Sequence, residues 1–161
     1  DSQAGANALS FMRRNLILLV KKVDNKYKNL PEEKLKKEGI QRAEIKMLID
    51  RFDPDNISES TPTDKYTSYS VNKGEKISIC IRNTDNSFMD MNTILFVTIH
   101  ELAHIMTIST GHTEEFWKNM KFILEVAESI GLYKPVDYSS KPETYCGMVI
   151  NSTPYDFNKE K

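Results

Sequence analysis

All three histidines of this 161-residue chain lie between positions 100 and 112. His100 and His104 are four residues apart, a spacing that on an α-helix puts both imidazoles on one face, where they can bind one metal ion. Glu101 is rotated by about 100° from His100, which puts its carboxylate beside the metal. There it can take a proton from a water whose pKa zinc lowers to about 7, and pass it to a leaving amine. The pattern predicts a hydrolytic zinc site with one Zn²⁺ per chain.

The residues on both sides of this motif favour a buried helix. Residues 95–99 carry no charge, and neither do residues 105–108. A solvated surface helix would place Lys or Glu at several of these positions. The alternative is a helix whose two histidines only make hydrogen bonds in the core. We favour the metal site, because a glutamate stands between the two histidines and no histidine lies outside this segment.

A catalytic zinc site needs a third protein ligand and one open position. His112 is the leading candidate, although it lies eight residues after His104 and cannot share the same face of an unbroken helix. Gly111 permits a sharp turn that returns His112 to the metal from the start of the next helix. The alternative is a surface histidine near a helix start.

Two other ligand geometries are less favoured. A further histidine six residues after His104 is excluded, because Thr110 stands there. A glutamate about twenty residues downstream remains open as the third ligand, with Glu125 and Glu128 as candidates. Both suit the polar face of an amphipathic helix, so they rank behind His112.

Periodicity predicts an α+β fold in one domain spanning residues 1–161. The expected parts are an N-terminal helical region (7–52), a β-hairpin (66–82), two helices bearing the site (92–131) and a tail (132–161). The helices are expected at about 7–29, 40–51, 92–107 and 113–130, with a polar segment at 34–39 that is loop or loose helix. The hairpin joins strands 66–71 and 76–82 through Asn72-Lys73-Gly74. Residues 53–65 are expected to form a surface loop, and residues 144–150 a single short strand.

Substrate contacts are expected from the strand Lys76–Arg82, through Ile79, Ile81 and Arg82. If this strand is a sheet edge, an extended peptide can add to it. An oxyanion donor is expected from the tail, with Tyr145 first and with Tyr138, Tyr155 and Arg82 as alternatives. Phe116 and Trp117 are expected to pack the two site helices together. Met106, Met120 and Met148 are expected in the core, with a floor beneath the metal as the alternative for Met148.

Composition describes an ordinary soluble protein, with 28% charged residues and a formal net charge of -1. Such a balance gives no global basic field for nucleic acid, and the lysines between Lys21 and Lys46 alternate with acids such as Glu44, as on a solvated face. The longest apolar runs fall short of the roughly 20 residues that a bilayer requires. Cys80 and Cys146 are too few for a disulfide scaffold, and we expect two buried free thiols, with pairing in an oxidising compartment as the alternative. An intracellular location, in cytoplasm or nucleus, is favoured.

HELAH at residues 100–104, followed by GHTEEFW at residues 111–117, resembles the minimal zincins of the SprT-like and WLM superfamily. The resemblance is sharpest over about residues 93–120. The strand with Cys80 and the motif Tyr145-Cys146-Gly147-Met148 are similar to WLM-like proteins of large DNA viruses. This resemblance implies a minimal zincin-like α+β domain with N-terminal helices, a small antiparallel sheet, an HExxH helix and a following long helix. It also implies His100, His104 and His112 as zinc ligands, with Glu101 as the base.

Members of that superfamily are zinc peptidases, and several degrade proteins crosslinked to DNA. The expected function is therefore a zinc endopeptidase acting on a protein or peptide, with nucleic acid as a partner by family analogy alone. Two cysteines cannot form a zinc ribbon, and no DNA-binding module stands beside the site. The alternatives are a zinc hydrolase of another amide, and a zinc-containing protein-binding module without hydrolytic activity. The oligomeric state does not follow from the sequence.

Overall fold

The protein is described from a computed structural model, which covers residues 2–60, 69–71, 76–83, 85 and 87–157. In these ranges it is an α+β structure, as expected. The helices are α1 (Ser2–Tyr27), α2 (Glu32–Glu38), α3 (Arg42–Arg51), α4 (Met91–Met106) and α5 (Glu114–Ser129). The strands are β1 (Ile57–Ser60), β2 (Tyr69–Val71), β3 (Lys76–Cys80), β4 (Glu143–Tyr145) and β5 (Met148–Ile150). None of the helices in the described ranges combines the length and apolarity that crossing a bilayer requires.

The long helix α1 forms because its apolar residues recur every three or four positions, and that stripe is buried in the core. Leu16, Leu19 and Val23 are fully buried. Near the end of the helix, Tyr27 contacts Phe122 of α5 edge-on, with ring centroids 4.6 Å apart. α1 packs against α3 and α5, and α3 packs in turn against α4. α1 and α3 therefore support α5 and α4, the two helices on either side of the site.

The polar segment 34–39 belongs to a short helix, α2, which runs from Glu32 to Glu38. Its single buried residue is Leu35, which joins the core. Gly39 ends the helix in the left-handed conformation, with φ of 73°. A residue with a Cβ adopts that conformation only at a cost, so glycine suits this position.

The first sheet has the strand order β1-β3-β2 and is mixed rather than purely antiparallel. β2 and β3 pair antiparallel, as a hairpin requires, while Asn72-Lys73-Gly74 and residues 66–68 lie outside the described residues. The expectation of a surface loop at 53–65 is wrong for Ile57–Ser60. These residues pair parallel with β3, and Ile57 is buried opposite Ile77. Such long-range pairing leaves little periodicity in a four-residue segment.

The tail contains two strands where one was expected. β4 and β5 pair antiparallel, and only Cys146 and Gly147 lie between them. Both residues have positive φ, 51° for Cys146 and 84° for Gly147. A two-residue turn with positive φ at both positions matches the twist of a hairpin. The chain therefore reverses in the middle of the segment 144–150, and we name the resulting unit, Glu143–Ile150, the C-terminal hairpin.

Cys80 and Cys146 form a disulfide, so the expectation of two free thiols is wrong. The bond joins the end of β3 to the turn of the C-terminal hairpin, across 66 positions of sequence. Both residues are buried, and neither spacing nor composition brings two such distant residues together. The disulfide therefore fixes the hairpin to the first sheet.

Replacing both cysteines with alanine (C80A/C146A) should lower the free energy of unfolding by about 2–4 kcal/mol, because the bond restricts the unfolded chain. Urea unfolding with and without a reducing agent measures this difference. The wild type should lose stability in the reductant, whereas the double variant should not respond. A wild type that is equally stable in both conditions would contradict the disulfide.

Candidate active site

Helix α4 presents His100, Glu101 and His104 from a buried position. Its first turn is capped by Asp90, whose carboxylate accepts a hydrogen bond from the Thr93 N–H at 3.1 Å. The apolar faces beyond the motif are buried in the core, as the uncharged flanks predict. The rotation and height of the three motif side chains are therefore set by the packing of the whole helix.

His112 reaches the same place through a tight return of the chain. α4 ends at Met106, and Gly111 has φ of 83°, in the left-handed region that favours glycine. Thr113 then caps α5, its hydroxyl accepting from the Phe116 N–H at 3.2 Å. We name residues 107–113, which carry His112, the α4–α5 loop.

The three imidazoles converge on one point. One nitrogen from each of His100, His104 and His112 can be chosen so that all lie within 4.8 Å of one another. The ring centroids of His100 and His112 are 4.9 Å apart, and those of His104 and His112 are 5.1 Å apart. Metal-bound imidazole nitrogens lie ~2.0–2.1 Å from zinc, so small ring rotations bring all three to one ion. The three histidines can therefore hold a metal.

Glu125 and Glu128, the alternative third ligands, do not join this cluster among the described residues. Glu128 accepts instead from the Tyr155 hydroxyl at 3.1 Å.

Phe116 forms the floor of the cluster. Its ring is fully buried and lies 4.4 Å from the His104 ring, 4.9 Å from His100 and 5.0 Å from His112, between centroids. An apolar ring in this place limits the rotation of the imidazoles and keeps water from their inner side. The expected packing role of Phe116 is thus confirmed. Met148, the expected core residue or floor, is 55% exposed instead.

Glu101 lies beside the cluster rather than in it. Its carboxylate is buried, and its Oε1 is 3.6 Å from Nδ1 of His100. Glu101 also lines the cavity described below. The rotation that helix geometry predicts is therefore present: the carboxylate faces the space next to the imidazoles, where a water or substrate atom would lie.

The electrostatic environment favours the neutral form of His112. Loss of surrounding water lowers its pKa, and the neighbouring His100 lowers it further, while the Glu101 carboxylate acts in the opposite direction. A neutral imidazole has a nitrogen lone pair to donate, so a lowered pKa suits a ligand.

A cavity of about 310 Å³ opens next to the histidines. His100, Glu101 and His112 line it. The C-terminal hairpin and the residues after it, from Met148 to Ser152, line it as well. Phe96, Val97 and Trp117 complete a mostly apolar lining, so Trp117 contributes to the cavity as well as to helix packing. This volume is at the low end of the range for ligand-binding pockets, and it is large enough for one or two residues of an extended chain.

A buried carboxylate fixes the α4–α5 loop from behind. Glu44 of α3 is 1% exposed, and its Oε2 accepts from the Ile108 N–H at 2.9 Å. The Asn119 side chain, which donates to the Thr107 hydroxyl at 2.9 Å, and Glu115 also interact with Glu44. The expectation that Glu44 belongs to a solvated face is wrong. A helix-forming acid among lysines carries no signal that distinguishes it from a surface residue.

Tyr145 lies at the cavity, but the contact that fixes its hydroxyl is with the backbone. The Cys80 N–H donates to the Tyr145 Oη at 2.8 Å, beside the disulfide. This bond gives Tyr145 a structural role in anchoring the hairpin, and its catalytic role stays a prediction. The alternative tyrosines lie elsewhere: Tyr138 is buried against Phe96, and Tyr155 contacts Glu128.

The expected edge position of strand β3 is wrong, and the substrate contacts of Ile79, Ile81 and Arg82 stay a prediction. β3 lies between β1 and β2, so it is the central strand and not an edge. Ile79 and Ile81 are buried in the core and do not line the cavity. Arg82 forms an ion pair with Glu59 at 3.1 Å and lies over the Phe88 ring, away from the histidines.

Comparison with known proteins agrees with this geometry. The sequence model of the WLM domain matches residues 20–156, which is most of the chain. The chain belongs to the WLM domain family. WLM is a family of the SprT-like, zincin type, so the resemblance drawn from the motif is confirmed. The WLM family is grouped with the metallopeptidases.

Similar proteins occur in large DNA viruses. This WLM domain is 37% identical over 108 residues to the uncharacterized protein R325 of Acanthamoeba polyphaga mimivirus, covering 66% of the chain and 55% of that protein. It is 37% identical over 84 residues to the uncharacterized protein 136R of Invertebrate iridescent virus 6, covering 49% of the chain and 44% of that protein. The chain thus spans about half the length of these curated relatives. No solved structure matches it.

Replacing His112 with alanine should weaken metal binding by more than about 100-fold, since even residues that only support a ligand contribute about 10–100-fold. Competition with a chromophoric chelator measures the affinity. Thr110→Ala, an exposed change in the same loop, is the matched control and should bind metal as the wild type does. Equal affinity in His112→Ala and the control would exclude His112 as a ligand.

Glu44→Gln should remove a pH dependence of stability. Burial raises the pKa of Glu44, and Glu115 raises it further, whereas the Ile108 N–H and Asn119 lower it. The folded protein therefore holds a proton that the unfolded chain releases, and this stability is lost as pH rises from the ordinary carboxylate pKa through the raised one. Gln resembles the protonated acid and does not titrate.

Urea unfolding in the presence of a chelator, from pH 4 to pH 7, checks this at about a dozen pH values for both proteins. The wild type should lose stability relative to Glu44→Gln as the pH rises. A constant difference between the two proteins would show that Glu44 has the same pKa in the folded protein as in the unfolded chain.

Proposed function

We propose that this WLM domain is a zinc-dependent endopeptidase. One observation carries the proposal: the buried Glu101 carboxylate lies beside three converging imidazoles, and Glu101 lines the same cavity as His100 and His112. Three histidines with an open fourth position form a donor set that catalytic zinc sites use. Among the described residues, no fourth His, Cys, Asp or Glu joins the cluster, as a closed structural site would require.

Zinc, when bound, would lower the pKa of a coordinated water and polarise the scissile carbonyl. Glu101 would accept the proton of the attacking water and donate it to the leaving amine. Its buried position suits this role, because few water molecules compete for the carboxylate. The reaction needs no covalent bond between the chain and its substrate. Tyr145 is proposed as an additional donor to the developing oxyanion, supported by its place on the cavity wall.

The proposed substrate is an unfolded protein segment. Support comes from the volume of the cavity, which admits an extended chain but not a folded surface. By analogy with the superfamily, proteins attached to DNA are one source of such segments. Cleavage measured with and without single-stranded DNA tests that analogy. Any stimulation by DNA should weaken at a higher salt concentration, because binding to phosphates weakens as salt rises.

Glu101→Gln should reduce cleavage of an unfolded protein by about 100-fold or more, because general acid–base catalysis contributes about 10²–10⁴-fold. The variant should keep its zinc, since the three imidazoles are unchanged. Cleavage of a labelled, unfolded casein by the zinc-loaded protein measures the activity, and metal analysis of the same samples measures the zinc.

Glu114→Gln is the matched control, because Glu114 is an exposed residue at the start of α5. It should cleave as the wild type does. Equal activity of Glu101→Gln and Glu114→Gln would contradict the proposal for Glu101. A wild type that holds zinc and cleaves no unfolded protein would favour a zinc-containing protein-binding module instead.

A further inference from the structure

We propose that β5 of the C-terminal hairpin is the strand to which the substrate adds, and that the cavity beside it accepts an apolar side chain of the peptide. The proposal rests on the endopeptidase function and names the substrate class: extended segments with an aliphatic or aromatic residue next to the scissile bond. It replaces the buried strand β3 as the surface that receives the substrate.

The first support is the way β5 meets the cavity. Successive side chains of a strand point to opposite faces, so a strand that presents a face contributes alternate residues. Met148, Val149 and Ile150 all line the cavity, and Asn151 and Ser152 follow without interruption. β4 contributes only Tyr145. A continuous run of lining residues is expected when a strand presents its edge, so the backbone of β5 faces the cavity.

The second support is the hydrogen-bonding register of the hairpin. Tyr145 pairs with Met148 next to the two-residue turn, and Thr144 pairs with Val149. The pair that flanks such a turn exchanges hydrogen bonds, and antiparallel pairs alternate between bonded and non-bonded. Thr144 and Val149 therefore form a non-bonded pair. In that arrangement, the Val149 N–H and C=O point away from β4, in the direction from which a peptide strand would pair.

The third support is the chemistry of the surfaces around this edge. Met148 is 55% exposed and Val149 is 61% exposed, so two neighbouring apolar side chains of this edge are open to a peptide. Phe96, Val97 and Trp117 add a second group of apolar side chains to the cavity lining, which also includes Glu101, His100 and His112. A peptide paired with β5 would direct alternate side chains between these surfaces, close to the proposed base.

The hairpin is held firmly enough to serve as a template. The disulfide joins its turn to Cys80, and the Cys80 N–H bonds to the Tyr145 hydroxyl. Both anchors are on the β4 and turn side, so they leave the outward edge of β5 to the cavity. A pre-positioned strand lowers the entropic cost of ordering a flexible peptide.

Val149→Pro tests the strand addition directly. Proline lacks the N–H and blocks pairing, while the non-bonded register means that the hairpin itself loses no hydrogen bond. Val149→Ala keeps the N–H and removes a similar part of the side chain. We expect kcat/KM for an unfolded peptide to fall about tenfold or more in Val149→Pro relative to Val149→Ala, as for about 1.4 kcal/mol of lost binding.

Binding is measured separately, so that a failure of the hydrolytic function is recognised. A labelled peptide with one central leucine is titrated into three proteins: Glu101→Gln alone, Glu101→Gln with Val149→Pro, and Glu101→Gln with Val149→Ala. Weaker binding only in the proline variant supports β5 pairing even if no protein cleaves. Equal binding by the proline and alanine variants overturns the proposal. Circular dichroism and retained zinc content confirm that the proline variant is folded.

Val97→Glu tests the side-chain preference. Val97 is half-buried on α4, one turn before Glu101, and lines the cavity. The new carboxylate should shift preference from a peptide with central leucine toward the same peptide with central lysine, by about tenfold or more. An unchanged ratio of kcat/KM for the two peptides would show that the side chain does not enter this cavity.

Discussion

Three imidazoles can surround one ion only if their backbones are held in fixed positions, because each ring has just two rotatable bonds with which to correct an error. His100 and His104 come from one buried helix, and His112 comes from a loop that must turn back sharply. The fully buried Phe116 ring contacts all three imidazoles from below. The rest of the structure positions these groups: α3 packs against α4, α1 packs against α3 and α5, and α5 supplies the floor.

Polar groups outside the motif hold the α4–α5 loop, and with it His112, in position. The α4–α5 loop contains no strand or helix of its own. Its Ile108 N–H donates to the buried Glu44, the Ser109 and Thr113 hydroxyls bond to each other, and the Ser109 hydroxyl also donates to Glu115. A buried carboxylate is costly unless it is hydrogen-bonded, so its presence behind the loop indicates that the loop position matters. The disulfide and Tyr145 fix the C-terminal hairpin, which also lines the cavity. Two separate anchors thus hold the segments that line the site.

The sequence was most informative where spacing is local. The face shared by His100 and His104, the rotation of Glu101 and the turn at Gly111 all follow from helix geometry and one glycine. The pairing of β1 with β3, the disulfide and the burial of Glu44 depend on contacts between distant residues, which single-chain periodicity does not carry. The Cys146-Gly147 turn had a local signal, since glycine between two strand-like triplets favours a reversal. That signal was outweighed by the continuous β-propensity of residues 144–150.

X-ray absorption spectroscopy at the zinc edge, on the stoichiometrically loaded protein, tests most directly whether the three histidines form an open metal site. The account predicts one zinc per chain with three imidazole nitrogens at ~2.0–2.1 Å and one further light atom from solvent. A sulfur ligand, fewer than three imidazoles, or a spectrum unchanged in the His112→Ala protein would contradict it.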